Sequence, residues 1–255
     1  MPWDPAQYLK FAGPRLRPAL DLLQHIDAEA PSIVYDLGAG AGNVTRLIAA
    51  RWPSAAITGV DSSAEMLAKA KKELPDIEWQ LADLGAWQPS RPADVIYSNA
   101  ALHWLDDHDM LFPRLLAGLA PHGVLAVQIP RNFAARSHTL ISEAALDGPW
   151  RTTLEPLLRP APVAEPEFYY DLLAPRAARL DMWETEYLQV LDGDNPVKEW
   201  TKGTWLSPLL NALEEPQRSR FEAAYAERVA AAYPQRRDGK TLFPFRRLFM
   251  VATAA

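Results

Sequence analysis

Asp36-Leu37-Gly38-Ala39-Gly40-Ala41-Gly42-Asn43 follows a β-rich run from Ser32 to Leu37 and precedes a helical pattern from Asn43 to Ala50, which Pro53 stops. A glycine loop carries meaning in that setting, between a strand and the helix it opens. Ligands of open α/β sheets sit beyond the carboxyl ends of the strands. Glycine, lacking Cβ, lets them approach the backbone. The spacing separates two kinds of ligand. A dinucleotide fingerprint, G-x-G-x-x-G, needs glycine at position 43, where Asn43 stands; the pattern present is D-x-G-x-G-x-G. Alone, such a loop reads equally well as a tight strand-to-helix turn.

Working outward, the alternation continues. Leu16, Leu20, Leu23 and Ile26 recur at helical spacing and predict a helix over about Arg15 to Ile26. Ala56 to Val60 is a second apolar run ending at Asp61, and Ser62 or Ser63 can cap a helix that runs to Leu74. Ile77 to Leu81, Asp94 to Tyr97 and Gly123 to Ile129 read as strands, with a helix over Met110 to Leu119. Strands alternating with helices imply a mostly parallel sheet covered on both faces, a Rossmann-like α/β fold. Pro149 to Pro166 reads as an irregular connection and Leu180 to Leu191 as an extended strand. Pro196 to Tyr233 is mostly helical, interrupted by Pro208 and Pro216, and Leu242 to Ala252 is a last strand. The expectation is one domain over 1–255, with a cofactor-binding core over 1–130 and a helical cap over about 192–240, between the last two strands.

Composition narrows the function. The chain of 255 residues is 49% hydrophobic, enough for a sizeable core. Its net charge is −6 and no Lys/Arg block exceeds two residues, which argues against nucleic acid as a partner. There are no cysteines, so disulfides, thiolate metal sites and thiol catalysis are excluded. The N-terminus lacks a basic-then-apolar leader, and no apolar run spans a bilayer, so a cytoplasmic protein without membrane partners is expected. His25, His103, His108, His122 and His138 are scattered without zinc spacing, and no metal is expected.

Further residues fall at strand ends. Asp61 lies about 20 residues after the loop, where an acid can accept from ribose hydroxyls or cap the next helix. Asp83 follows the third strand, Asn99 ends the fourth, and Met66 sits on the helix after Asp61, where core packing is nearly as good an explanation. The loop and these positions together resemble the class I methyltransferases dependent on S-adenosylmethionine. The resemblance implies that Asp36 helps hold the cofactor's ammonium, that Gly38, Gly40 and Gly42 bend around its amino-acid part, and that Asp83 meets the adenine amino group. It implies that Met66 packs on the adenine and that Asn99 lies near the sulfur. Asn43, Ser62, Leu84 and Trp104 complete the expected cofactor set. Base methyltransferases of this fold often carry Pro-Pro and an aromatic after the fourth strand; Ala100-Ala101-Leu102-His103-Trp104 departs from that.

The likeness extends along nearly the whole chain to the trans-aconitate methyltransferases. It rests on Trp3-Asp4-Pro5 with Tyr8-Leu9, Arg15-Leu16-Arg17-Pro18-Ala19, and Ile57-Thr58-Gly59-Val60-Asp61-Ser62-Ser63. It continues in Asn99-Ala100-Ala101-Leu102-His103-Trp104-Leu105, Gly123-Val124-Leu125-Ala126-Val127-Gln128, Tyr169-Tyr170-Asp171 and Arg247-Leu248-Phe249. The family often has Gln where His103 stands, and Gly-Cys-Gly-Pro-Gly where this loop reads Gly-Ala-Gly-Ala-Gly. The resemblance implies a seven-stranded sheet with an antiparallel last strand, and monomethyl esterification of trans-aconitate with S-adenosylhomocysteine as coproduct.

A polycarboxylate needs convergent cationic donors, and arginine offers a planar fork that matches carboxylates. Tyr8, Arg17, His103, Arg131, Tyr169, Tyr170 and Arg247 are the candidates for acceptor binding, with Arg246 and Arg247 expected on opposite strand faces. A carboxylate is already ionised at pH 7, so no general base is required; His103 would serve as one only for a hydroxyl or amine acceptor. The competing readings are a methyltransferase for another small or carrier-bound acid, a non-catalytic S-adenosylmethionine-binding protein, and a nicotinamide dehydrogenase, which Asn43 disfavours. The sequence is silent on oligomeric state; a monomer is compatible with it.

Overall fold

A computed structural model describes the backbone of residues 12–255 and the side chains of 16–255. Its first element, α1 (Ala12–Gln24), begins earlier than the apolar spacing predicts. Pro14 lies in its first turn, where the missing N–H has no intrahelical partner to lose. The helix buries Ala19, Leu22 and Leu23 and turns Leu20 outward, so the buried stripe is rotated from the expected one.

The glycine loop lies between β1 (Ile33–Leu37) and α2 (Thr45–Arg51). Then come β2 (Ala56–Asp61), α3 (Ala64–Glu73), β3 (Glu78–Leu81) and β4 (Ala93–Asn99). A 3-10 turn (Leu102–Trp104) leads to α4 (His108–Ala117) and β5 (Leu119–Pro130). The second half holds α5 (Arg136–Leu146), α6 (Arg151–Leu154), α7 (Pro166–Leu173) and the 15-residue β6 (Ala177–Leu191). It ends with α8 (Pro196–Lys202), α9 (Ser207–Asn211), α10 (Gln217–Ala232) and β7 (Thr241–Ala254). Three helices therefore stand between β6 and β7.

The seven strands form one sheet in the order β3-β2-β1-β4-β5-β7-β6. β1 pairs in parallel with both β2 and β4, β2 with β3, and β4 with β5. β7 runs antiparallel to β5, from Val124↔Thr253 to Pro130↔Arg247. The chain winds outward from β1 in one direction and then returns to β4 in the other. The crevice where strand order reverses, between the carboxyl ends of β1 and β4, is where such sheets take ligands. Val34, Val95, Ile96, Tyr97 and Ala126 are wholly buried, as parallel strands covered on both faces require.

The chain divides into two compact units. One comprises Leu16–Pro130, Pro162–Thr185 and Arg247–Ala255, and carries the glycine loop. The other includes Arg131–Ala161 and Glu186–Arg246. It has its own core, with Trp150, Leu154, Trp200, Leu206, Phe221 and Phe243 among its buried residues. A buried polar network threads it: the Tyr225 hydroxyl donates to the Ser137 carbonyl at 2.9 Å and lies 2.9 Å from the Thr201 hydroxyl. Burial pushes His138 down to about 4, so it stays neutral.

Three expectations need correction. The 149–166 stretch is not wholly irregular: it holds α6 and a 3-10 turn at Glu155–Leu157. Pro208 does not interrupt a helix; it sits in the first turn of α9, where its fixed φ helps start one. α5 and α7 went unread because neither has a side-chain cap, and α7 opens on Pro166, which looks like a boundary. Among the described residues no helix is long and apolar enough to cross a membrane.

Candidate active site

Gly38, Gly40 and Gly42 have φ of 76°, 56° and 82°, in the left-handed region. The Gly38 and Ala39 amides donate to the Val60 carbonyl at 2.8 and 3.1 Å, which pins the loop to the end of β2. A Cβ on Gly38 would stand 2.1 Å from the Ala101 Cβ, so the loop and the segment after β4 are in closest backbone approach there. Ala100 has a left-handed φ of 53°. Such a turn is costly for a residue with a side chain and marks a place where the chain is forced to bend. A Cβ on Gly40 would meet only the Met66 Cε, at 3.5 Å, and otherwise open space. The side of the loop facing Met66 is therefore the one a ligand can approach.

Two acids flank the loop. Asp36 is 2% exposed and its Oδ2 accepts from the Thr45 hydroxyl at 2.6 Å. Burial, opposed by the Thr45 hydrogen bond and aided by the nearby Asp61 charge, raises its pKa to about 7. Asp61, last residue of β2, is half-buried and held at both oxygens: Oδ2 accepts from the Gly40 amide and Oδ1 from the Ser63 amide, each at 2.8 Å. Each oxygen keeps a lone pair for another donor. Ser63, not Ser62, caps α3, its hydroxyl accepting from the Met66 amide at 3.3 Å.

The remaining expected cofactor residues divide. Met66 and Leu84 are buried, whereas Asn43, Ser62 and Asp83 are exposed. Asp83 Oδ1 accepts from the Gly85 amide at 2.9 Å, in a tight turn after β3. Asn99 ends β4, and its buried Oδ1 has no hydrogen-bond partner. Trp104 is 49% exposed and its ring lies 4.7 Å from that of His103.

The expected acceptor residues are more scattered. Tyr8 lies outside the described residues. Arg17 is exposed and Arg131 half-buried; Arg131 belongs to the second unit. Arg247 is buried and donates from Nη1 to Gln128 Oε1 at 3.1 Å, whereas Arg246 is exposed, as strand alternation predicts. Tyr169 is wholly buried; its hydroxyl lies 2.7 Å from His108 Nδ1 and accepts from the Ala164 amide at 3.3 Å. Its neighbour Tyr170 is 57% exposed. His103 is buried at 6% exposure in the turn after β4.

Two residues that hydrogen-bond Asp36 and Arg247 are absent from the sequence-derived set. Thr45 gave no signal beyond a hydroxyl near the loop. Gln128 did: it is the one amide in the apolar run of β5, and a polar group inside a fully buried strand needs a reason.

Asp36 yields a pH test. Its free-state pKa near 7 means the carboxyl is partly protonated at neutrality, while the ammonium that the resemblance sets beside it would favour the carboxylate. Affinity for S-adenosylmethionine is expected to fall as pH drops below about 7, approaching tenfold per unit. In the unliganded protein the sign is opposite. Between pH 4 and 7 the native state binds more protons at Asp36 than the unfolded chain, so this group's contribution to stability falls as pH rises. Calorimetric titrations and thermal melts from pH 5.5 to 8 check both limbs; an affinity flat across pH 6 to 7 would remove Asp36 from the ammonium site.

Known proteins resemble this chain in sequence and in fold. A family described as a methyltransferase domain matches residues 34–123. The trans-aconitate 2-methyltransferase of Azoarcus sp. (strain BH72) is 50% identical over 250 residues, covering 98% of each chain. That of Methylobacterium radiotolerans is 44% identical over 256 residues, covering 99% of this chain and 98% of the relative. Among solved structures, the YcgJ protein of Bacillus subtilis superposes with a TM-score of 0.61 at 13% identity, covering 93% of this chain and 98% of that one. The Haemonchus contortus phosphoethanolamine N-methyltransferase 2 in complex with S-adenosyl-L-methionine gives 0.58 at 14% identity, over 98% of this chain and 56% of that one. These structures share the fold.

Proposed function

Since this chain belongs to the trans-aconitate 2-methyltransferase family, we propose that it esterifies one carboxylate of trans-aconitate with the methyl group of S-adenosylmethionine. The observation that carries the reading is 50% identity over 98% of both chains to a relative of that name. A buried arginine, Arg247, on the strand that pairs with the carboxyl end of β5 fits an anionic acceptor.

The residues present fit the cofactor. Gly40 leaves an open approach beside Met66, Asn99 offers a buried, unsatisfied acceptor, and two acids suit a ligand bearing an ammonium and a sulfonium. When bound, S-adenosylmethionine supplies a methyl carbon activated by positive sulfur. Asp36 would hold the ammonium, Asp61 would accept from the ribose, and the Gly38–Gly42 loop would lie against the amino-acid part. A carboxylate oxygen lone pair forms the new C–O bond as the C–S bond breaks and its electron pair stays on sulfur. One carboxylate and the sulfonium become an uncharged ester group and an uncharged thioether, the other two carboxylates keep their charge, and no proton moves. His103 is therefore no base in this reaction. Because charge is lost on the way to product, a site that strips water from the carboxylate favours transfer. The protein's task is positioning: near-attack placement supplies much of the barrier reduction.

The test is transfer of labelled methyl to a panel of small acids, with identification of the ester. Preferred esterification of trans-aconitate is expected. Transfer only to hydroxyl or amine acceptors would overturn the reading and return His103 to the role of base.

A further inference from the structure

Gln128 is wholly buried in β5 between Val127 and Ile129, which are also fully buried. Its Oε1 accepts from Arg247 Nη1 at 3.1 Å. A guanidinium only donates, so this contact fixes the amide's orientation and makes the other end, Nε2, a donor directed elsewhere. That Nε2 is buried and has no hydrogen-bond partner. Gln128 pairs in register with Asn99 on β4, whose buried Oδ1 is also unsatisfied. Gln128 and Pro130 lie on one face of β5 by strand alternation, and Arg247 is the register partner of Pro130. One patch at the carboxyl edge of the sheet thus holds a guanidinium, an amide donor fixed by it, and the residue that ends β4.

We propose that Gln128 is a positioning residue for the acceptor, its Oε1 orienting the Arg247 guanidinium while its Nε2 donates to the same non-reacting carboxylate. The inference rests on the carboxyl-methylation reading and adds to it a residue for acceptor binding. The choice of glutamine follows from charge. Glutamate would hold Arg247 more firmly, but it would neutralise the cation and set an anion where a polyanion must dock. Methionine would fill the volume and hold nothing. Glutamine alone among these holds the arginine without setting an anion beside it, and adds a donor.

The discriminating variant is Gln128→Glu in the full chain. A purely structural role predicts that the change shows in stability, through the desolvation of a buried carboxylate, and moves acceptor and cofactor affinities together. A positioning role predicts a KM for trans-aconitate at least 30-fold higher at saturating S-adenosylmethionine. Affinity for S-adenosylhomocysteine would stay within twofold. Gln128→Met should raise the acceptor KM about tenfold. A measurement free of substitution accompanies these: in wild-type enzyme saturated with S-adenosylhomocysteine, the assigned Gln128 side-chain amide resonance should shift as trans-aconitate is titrated. An unshifted amide, a wild-type acceptor KM in Gln128→Glu, or acceptor and cofactor affinities that fall together overturns the proposal and leaves carboxyl methylation standing. Wild-type enzyme that methylates no acid overturns both.

Discussion

Gly38→Val is expected to lower the thermal midpoint by about 10 °C and methyl transfer by about 100-fold. The position has a φ of 76°, which costs a β-branched residue about 1–2 kcal/mol or more. A Cβ there would stand 2.1 Å from the Ala101 Cβ, which has no flexible end to swing away, so overpacking adds about 1–3 kcal/mol. A sum of about 3–4 kcal/mol corresponds to roughly 10 °C in a chain of this size. Relief requires the loop and the segment after β4 to separate by more than ~1 Å, and a displacement of that order at a reacting site costs about 100-fold. Calorimetry and single-turnover kinetics check the two effects. A variant with the wild-type midpoint would show that the loop and Ala101 do not constrain one another.

Asp61→Ala is expected to weaken cofactor binding about 100-fold, with the acceptor KM at saturating cofactor nearly unchanged. Hydrogen bonds to a charged group contribute about 1.5–3 kcal/mol each, and about 2.7 kcal/mol corresponds to 100-fold. The substitution also frees the Gly40 and Ser63 amides from the carboxylate that ties the loop to the start of α3. Asp61→Asn distinguishes the two effects. It keeps one carbonyl oxygen, so one amide strap survives while the charge is lost. Isothermal titration with S-adenosylhomocysteine measures both variants. Wild-type affinity in Asp61→Ala would leave Asp61 a structural strap and remove it from the ribose.

The sheet was legible because its strands are short apolar runs closed by punctuation: β1 ends at a glycine loop, β2 at Asp61, β4 at Asn99. The turn from Asp36 to Asn43 was legible too, since its three glycines match three left-handed φ values. Less was legible where local signals are weak. α5 buries Leu140, Ile141, Ala144 and Ala145, but with small residues and an alanine at its N-cap it presents little periodic contrast. The residues expected to bind the acceptor were harder still. Tyr169 and Tyr170 are adjacent in sequence, yet the helix puts one in the core and leaves the other exposed. Arg247 could be paired by alternation with an outward Arg246, but its partner Gln128 lies 119 residues away. Only the antiparallel pairing of β5 and β7 brings those two together.

The carboxylate of Asp61, tied down by two amides, has a cost in turnover. In the proposed roles, with Asp61 on the ribose and Asp36 on the ammonium, these acids and the glycines between them would all grip portions of the ligand that survive the reaction intact. Nothing among them senses the methyl group, so the spent coproduct keeps the handholds its precursor had. Only the vanished positive charge on sulfur weakens its hold. A catalyst built that way is expected to stall on its own exhaust, so initial rates with added S-adenosylhomocysteine should fall as it competes with S-adenosylmethionine.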